Sequence, residues 1–279
     1  MKISQLVRLN ESNNESTLVS WILRSYLKNS NESLAILQAD ITSIGNFDGH
    51  DDIFDSVNDI TISRCNKLTS LESFPKNMKE CKHVYIRECP ALTSLNGIPT
   101  SVIDIEIFKA AELLDVNTML RNLPKLQMLH IIGCPKLTDV DLSNNDLNYL
   151  YISGINIRKI TGINKLKRLK DTEVTIYANI DMSDLDGLDC DHLVIDRIDA
   201  NLSKFTDIGK YVKCKKVTIN PKHKNSIPDI AMIEGIQEIT VRHDDATSKL
   251  VNEVLQDSKL TRRAKIMKIV RLSNAGAFD

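Results

Sequence analysis

The sequence predicts an α/β fold in which short parallel strands stack into a solenoid, forming a curved sheet on its concave side and closed by helical caps at both ends. Two observations carry this. Paired apolar residues, separated by one position, recur along most of the chain: Ile60/Ile62, Val84/Ile86, Ile105/Ile107, Leu129/Ile131, Leu150/Ile152, Val174/Ile176, Leu193/Ile195, Val217/Ile219 and Ile239/Val241. The steps between them are 24, 21, 24, 21, 24, 19, 24 and 22 residues, a spacing that marks stacked structural repeats. Three of the units, ITISRCNKLTSL, VYIRECPALTSL and LHIIGCPKLTDV, also superpose without gaps.

Each pair follows the strand period of two, so its members share one face and the residues between and after them share the other. A strand this short cannot bury its apolar side alone, but a stack of parallel copies can. Leu68 and Leu71, Leu92 and Leu95, and Leu137 and Val140 follow the strands at a fixed distance and are expected to fill the interior from the return side. A weaker, earlier copy is read in SLAILQADITSIGNF, which sets a repeat region at 34–243 between caps at 1–33 and 244–279.

The first cap is expected as an amphipathic helix in NESTLVSWILRSYLKNS (14–30), with Leu18, Ile22 and Leu27 on one side. The last is read as one or two helices in DATSKLVNEVLQD and SKLTRRAKIMKIVRLS, with Leu260, Ala264, Met267 and Val270 or Arg271 at helical spacing. Arg262, Arg263, Lys265 and Lys268 give that end a basic face, which is either solvated or a contact for nucleic acid or an acidic partner.

All six cysteines take repeat positions. Cys65, Cys89 and Cys134 fall five residues after the start of a pair, and Cys81, Cys190 and Cys214 fall three before one. Both positions are expected to be buried, where a thiol acts as a small hydrophobe whose S–H serves a carbonyl. His130 points out of the sheet while Cys134 turns in, so they form no catalytic pair. Phosphate-loop, zinc-protease and nucleophile-elbow motifs do not occur, and FDGHDDIFD lacks the carboxylate spacing of a calcium loop. No catalytic residue, metal or cofactor is expected.

The LxxLxLxx(N/C)xL spacing, with LQMLHIIGCPKL as a near match, resembles the leucine-rich repeat. IxxCPxLTSL is similar to plant-type repeats and NGIPTSVIDIEI to the Leu-Pro-rich bacterial subtype. The resemblance covers 57–243 and weakens from Leu193 onward. It implies a right-handed coil with a concave strand face, and no particular activity.

On that face the register gathers Tyr85, Phe108, His130, Ile132, Tyr151 and Tyr177, flanked by Arg87, Glu88 and Lys109. Aromatic residues rimmed by charge have the composition of protein-binding hot spots; large side chains shielding a sheet are the alternative. The expected function is a non-enzymatic adaptor or inhibitor that grips a protein partner there. A net charge of -1 offers no general attraction to nucleic acid or anionic membrane, and no apolar run is long enough to span a bilayer. MKISQLVRLN lacks a secretory core, so a cytoplasmic monomer is expected. MKISQLVRLNE resembles the capsid-targeting peptides of tailed phages, which are cut after such a glutamate. That resemblance implies an alternative: a phage virion-internal or host-takeover protein processed after Glu11.

Overall fold

The computed structural model describes residues 33–44, 54–74, 78–154, 156–166, 169, 173–196 and 205–278, together with the two-residue strand Val7–Arg8. It is a mixed α/β structure rich in parallel strands, as the repeat pattern predicts. The helix expected at 14–30, the cleavage site after Glu11 and the acidic stretch 47–53 lie outside the described residues. Among the described residues, no helix is long and apolar enough to cross a membrane.

The chain divides into two compact units, 1–146 and 147–279. In the first, Val7–Arg8 (β1) pairs in parallel with Ser33–Leu37 (β2). Asp59–Ser63 (β3), His83–Arg87 (β4), Asp104–Phe108 (β5) and Met128–Ile132 (β6) then follow in sequence order, each parallel to the one before. Register is unbroken: Ile36, Ile62, Ile86, Ile107 and Ile131 stand side by side, all inside. The return-side residues Leu68, Leu71, Leu92, Leu95, Leu137 and Val140 are buried as expected. A short strand, Asp139–Asp141 (β7), lies outside this sheet.

One backbone device repeats in this unit. The residue four places after the first of each pair is left-handed: Gln38, Arg64, Glu88, Lys109 and Gly133 have φ between 54° and 69°. Only one of the five is glycine, so the other copies accept a cost of about 1 kcal/mol each. The turn has two effects. The amide N–H of Gln38, Arg64, Glu88 and Lys109 continues the ladder by donating to the last carbonyl of the next strand, at 2.7–2.9 Å. It also reverses side-chain direction, so the next residue points inward. That residue is Ala39, Cys65, Cys89, Ala110 or Cys134, a column of small buried side chains.

In the second unit, Tyr149–Gly154 (β8), Glu173–Ala178 (β10), Leu188–Asp196 (β11), Val212–Ile219 (β12) and Glu238–Val241 (β13) form a parallel sheet, and Lys159–Thr161 (β9) is separate from it. β11 and β12 are longer than the short strands expected. Their first halves bring Cys190 and Cys214 into register as neighbours. Helix Asp245–Gln256 packs on β13 and on helix Arg262–Asn274. Asp244 caps the first helix by accepting from the Thr247 amide, and Thr261 caps the second by accepting from Ala264. The second helix does not turn the expected residues inward. Ile269 is its buried side chain, Phe278 beyond it is also buried, and Met267 stands 48% exposed. Ile269 lies two positions after Met267, about 200° round the helix and so on the side opposite the Ala264–Met267 line, and the apolar spacing alone gave the wrong face.

Candidate functional site

Because side chains alternate, three rows of residues share the outer face of the first unit's sheet. The central row is Ala35, Thr61, Tyr85, Glu106 and His130, and the row after it is Leu37, Ser63, Arg87, Phe108 and Ile132. The row before it is Ser33, Asp59, His83, Asp104 and Met128. Sequence reasoning took only the residues between and after each apolar pair, and so missed His83, Asp104 and Met128. The same period of two, read one step backward, locates them.

Most charges on this face are satisfied locally. Arg87 meets Glu106 through both Nε (3.0 Å) and Nη2 (3.1 Å), diagonally across to the neighbouring strand, where Glu106 is the register partner of Tyr85. His83 Nδ1 lies 3.3 Å from Asp104, and the Tyr85 hydroxyl donates to the same carboxylate at 3.5 Å. The Tyr85 and His83 rings are parallel with centroids 6.4 Å apart. Burial, with Asp104 nearby, raises the Tyr85 phenol above its usual range, so it stays a neutral donor. Glu88 sits between Arg64 (2.9 Å) and Lys109 (3.3 Å), whose hydrogen bonds hold its carboxyl below the usual range. These three occupy consecutive left-handed positions, which is why their side chains fan along one edge.

What this pairing leaves open is apolar. Phe108 is half-buried, with Lys109 Nζ 4.7 Å from its ring centroid. Ile132 stands beside it in register, and Met128 is 41% exposed on the same strand. His130 lies in the adjacent row, half-buried. That burial lowers its pKa, against an opposing pull from Glu106 and Asp104. The structure therefore brings Tyr85, Arg87, Phe108, His130 and Ile132 onto one face, with Glu88 and Lys109 along its rim.

The second unit's face is different. Tyr151 and Tyr177 meet edge to face at 5.8 Å, and the Arg242 guanidinium lies 4.9 Å from the Tyr177 ring centroid while donating to its hydroxyl. Thr175, Val194 and Thr218 stand between the members of their apolar pairs, where the strand period predicts the open face, yet they are buried. They are the small members of a row flanked by Glu173, His192, Lys216 and Glu238 on one side and by Tyr177 and Arg242 on the other. Long flanking side chains shield short ones between them.

One cluster here has the outline of a relay. His192 Nδ1 is 2.7 Å from Glu173, and its Nε2 is 2.8 Å from the Thr218 hydroxyl. Nucleophilic chemistry also needs donors aimed where negative charge develops on the substrate. Around Thr218 the strands β11, β12 and β13 are paired in register, so their amides are committed to the sheet ladder. We read the cluster as a lateral brace. Burial lowers the His192 pKa, with Glu173 pulling the other way.

The cysteines are buried, as their repeat positions require. The Cys89 thiol lies 3.5 Å from the Arg87 carbonyl and that of Cys65 3.6 Å from Ser63, each a weak donor contact to the end of its own strand. Burial pushes Cys134 up to about 11 and Cys81 up to about 12, which keeps both as unreactive thiols. At the C-terminal end, Arg262 donates to the Met232 carbonyl at 2.8 Å and Lys265 to the Leu255 carbonyl, while Arg263 and Lys268 are exposed.

Compared with protein-family models the chain matches none, and the search of curated proteins gives no relative.

Proposed function

We propose that the protein is a leucine-rich-repeat-like solenoid without enzymatic activity, which binds a protein partner through the concave strand face. On this reading the two C-terminal helices cap one end of the stack, and a reducing cytoplasm suits its six thiols. The supporting observation is a contrast on the first unit's outer face. Its charged side chains are mostly paired with one another, whereas Phe108, Ile132 and Met128 are partly open.

Hot spots combine such features: a large apolar anchor, a rim of charge, and an arginine held in a defined geometry. Arg87 is held by Glu106 through two of its three guanidinium nitrogens, so little freedom is lost when a partner docks over it. Tyr151 and Tyr177 contribute less, because each is already engaged with the other or with Arg242.

The test is a Tyr85→Ala/Phe108→Ser variant compared with the native chain in partner capture and in melting. Unchanged melting with lost capture supports a binding face. Loss of the fold supports the shielding alternative.

A further inference from the structure

The cations of helix Arg262–Asn274 form a run that is unusual in two respects, and neither depends on the binding face proposed above. First, many lysines and arginines on the strands and turns meet carboxylates, among them Arg64, Arg87, Lys109, Lys136, Lys215, Lys216 and Lys222. Among the described residues, none of Arg262, Arg263, Lys265, Lys268 and Arg271 lies in an ion pair. The stretch 258–278 holds six basic residues and no acid, while the rest of the chain holds 30 basic residues against 37 acidic.

Second, two of these cations oppose the helix that carries them. Arg262 and Arg263 occupy its first turn, which has no acidic residue, at the positive end of the helix dipole. Helix Asp245–Gln256, in the same unit, has the favourable arrangement with Asp245 in its first turn. Arg262 is engaged by the Met232 carbonyl, but Arg263 is exposed and in no ion pair among the described residues, so its charge points to something outside the molecule.

The exposed side also has a defined layout. Arg263, Met267 and Arg271 follow one another at i, i+4 and i+8, with Lys268 alongside, so the line runs about 12 Å. Met267 is 48% exposed in the middle of it. Met232, whose carbonyl accepts from Arg262, is 46% exposed.

We infer that this helix face is a second docking surface, whose occupant is an acidic protein segment with apolar side chains interspersed among its carboxylates. Two open methionines among arginines suit a partner that presents both charge and hydrocarbon. A nucleic acid is a long polyanion and would meet the net negative remainder of the chain beyond this short line. The exposed face also lacks an aromatic ring on which a base would stack. A membrane surface would need a continuous apolar stripe beside the cations, and the helix buries Ile269 instead.

The experiment measures fluorescence anisotropy of a short labelled peptide of Asp and Glu with interspersed Leu and Phe, added to the full chain. Duplex DNA of matched charge and phosphatidylserine vesicles serve as parallel probes. The native chain is expected to bind the peptide more tightly than either, and to bind it less well as salt rises. Replacing three exposed charges, R263Q/K268Q/R271Q, is expected to weaken peptide binding about thirtyfold, at about threefold per exposed contact, with melting unchanged or raised. M267S is expected to weaken the peptide and leave DNA unaffected. If the triple variant folds poorly, R263Q alone is expected to give the threefold loss in a chain at least as stable as the native one. Undetectable peptide binding, equal binding by the variants, or tighter capture of DNA or vesicles overturns the inference.

Discussion

Cys190 and Cys214 face one another across β11 and β12 with their Sγ atoms 3.8 Å apart, both buried and both free thiols. They stand at the position before each apolar pair where Val57, Val102, Leu126 and Leu147 stand in other copies, all buried. The contact is therefore packing between two small apolar groups. Replacing either by Ala is expected to cost about 1–2 kcal/mol, from lost burial and a small cavity. The double substitution is expected to cost less than the sum, because both changes open the same space. Urea denaturation of the three variants measures this.

The column five residues into each unit gives a milder case. Ala39 and Ala110 already occupy the position of Cys65, Cys89 and Cys134. Cys134→Ala is expected to cost about 1 kcal/mol and Cys134→Leu about 3 kcal/mol, since the column is lined by neighbouring small residues and cannot widen. Thermal melting of the two variants distinguishes them.

The turn glycines separate backbone strain from collision. A Cβ on Gly133 would meet Lys109 Cγ at 3.3 Å, at the left-handed position that Arg64, Glu88 and Lys109 occupy with full side chains. Gly133→Ala is expected to cost about 1 kcal/mol. A Cβ on Gly97 would lie 1.9 Å from the Leu71 carbonyl oxygen, at φ +104°. Both chain segments would have to move, so Gly97→Ala is expected to cost at least about 3 kcal/mol. Similar losses for the two would contradict the repeated left-handed turn.

Acidification is expected to weaken the fold through His130 and His192. Burial lowers both pKa values in the folded chain. The unfolded chain then binds protons first as pH falls, so these residues leave stability intact above the unfolded value of about 6.5 and reduce it as pH drops towards their folded values. Melting temperature followed from neutral pH downward should fall over that range. In His130→Gln the fall should be shallower.

The strand series, the inward cysteines and the return-side leucines were legible because each rests on a short period repeated many times, which averages out local exceptions. The left-handed residue in every turn was not. Four of its five occupants in the first unit are Gln, Arg, Glu and Lys, whose side chains carry no sign of the backbone beneath them; only Gly133 hints at it. His83, Asp104 and Met128 were missed because the alternation was followed in one direction. Thr175, Val194 and Thr218 were expected to be open because period fixes the face a residue points to, and not whether longer neighbours cover it. The inner face of helix Arg262–Asn274 was misplaced because one short amphipathic segment offers several similar apolar lines, and packing chose the one through Ile269.

Alternation along the strands, reset by the left-handed turn that follows them, is the claim on which the binding face and the inert cysteines rest, and thiol labelling of native Tyr85→Cys tests it most directly. The single added thiol at 85 should react with a maleimide promptly, while the six native cysteines react only after denaturant is added. Prompt labelling of Cys65, Cys89 or Cys134 in the folded chain, or protection at 85, would contradict it.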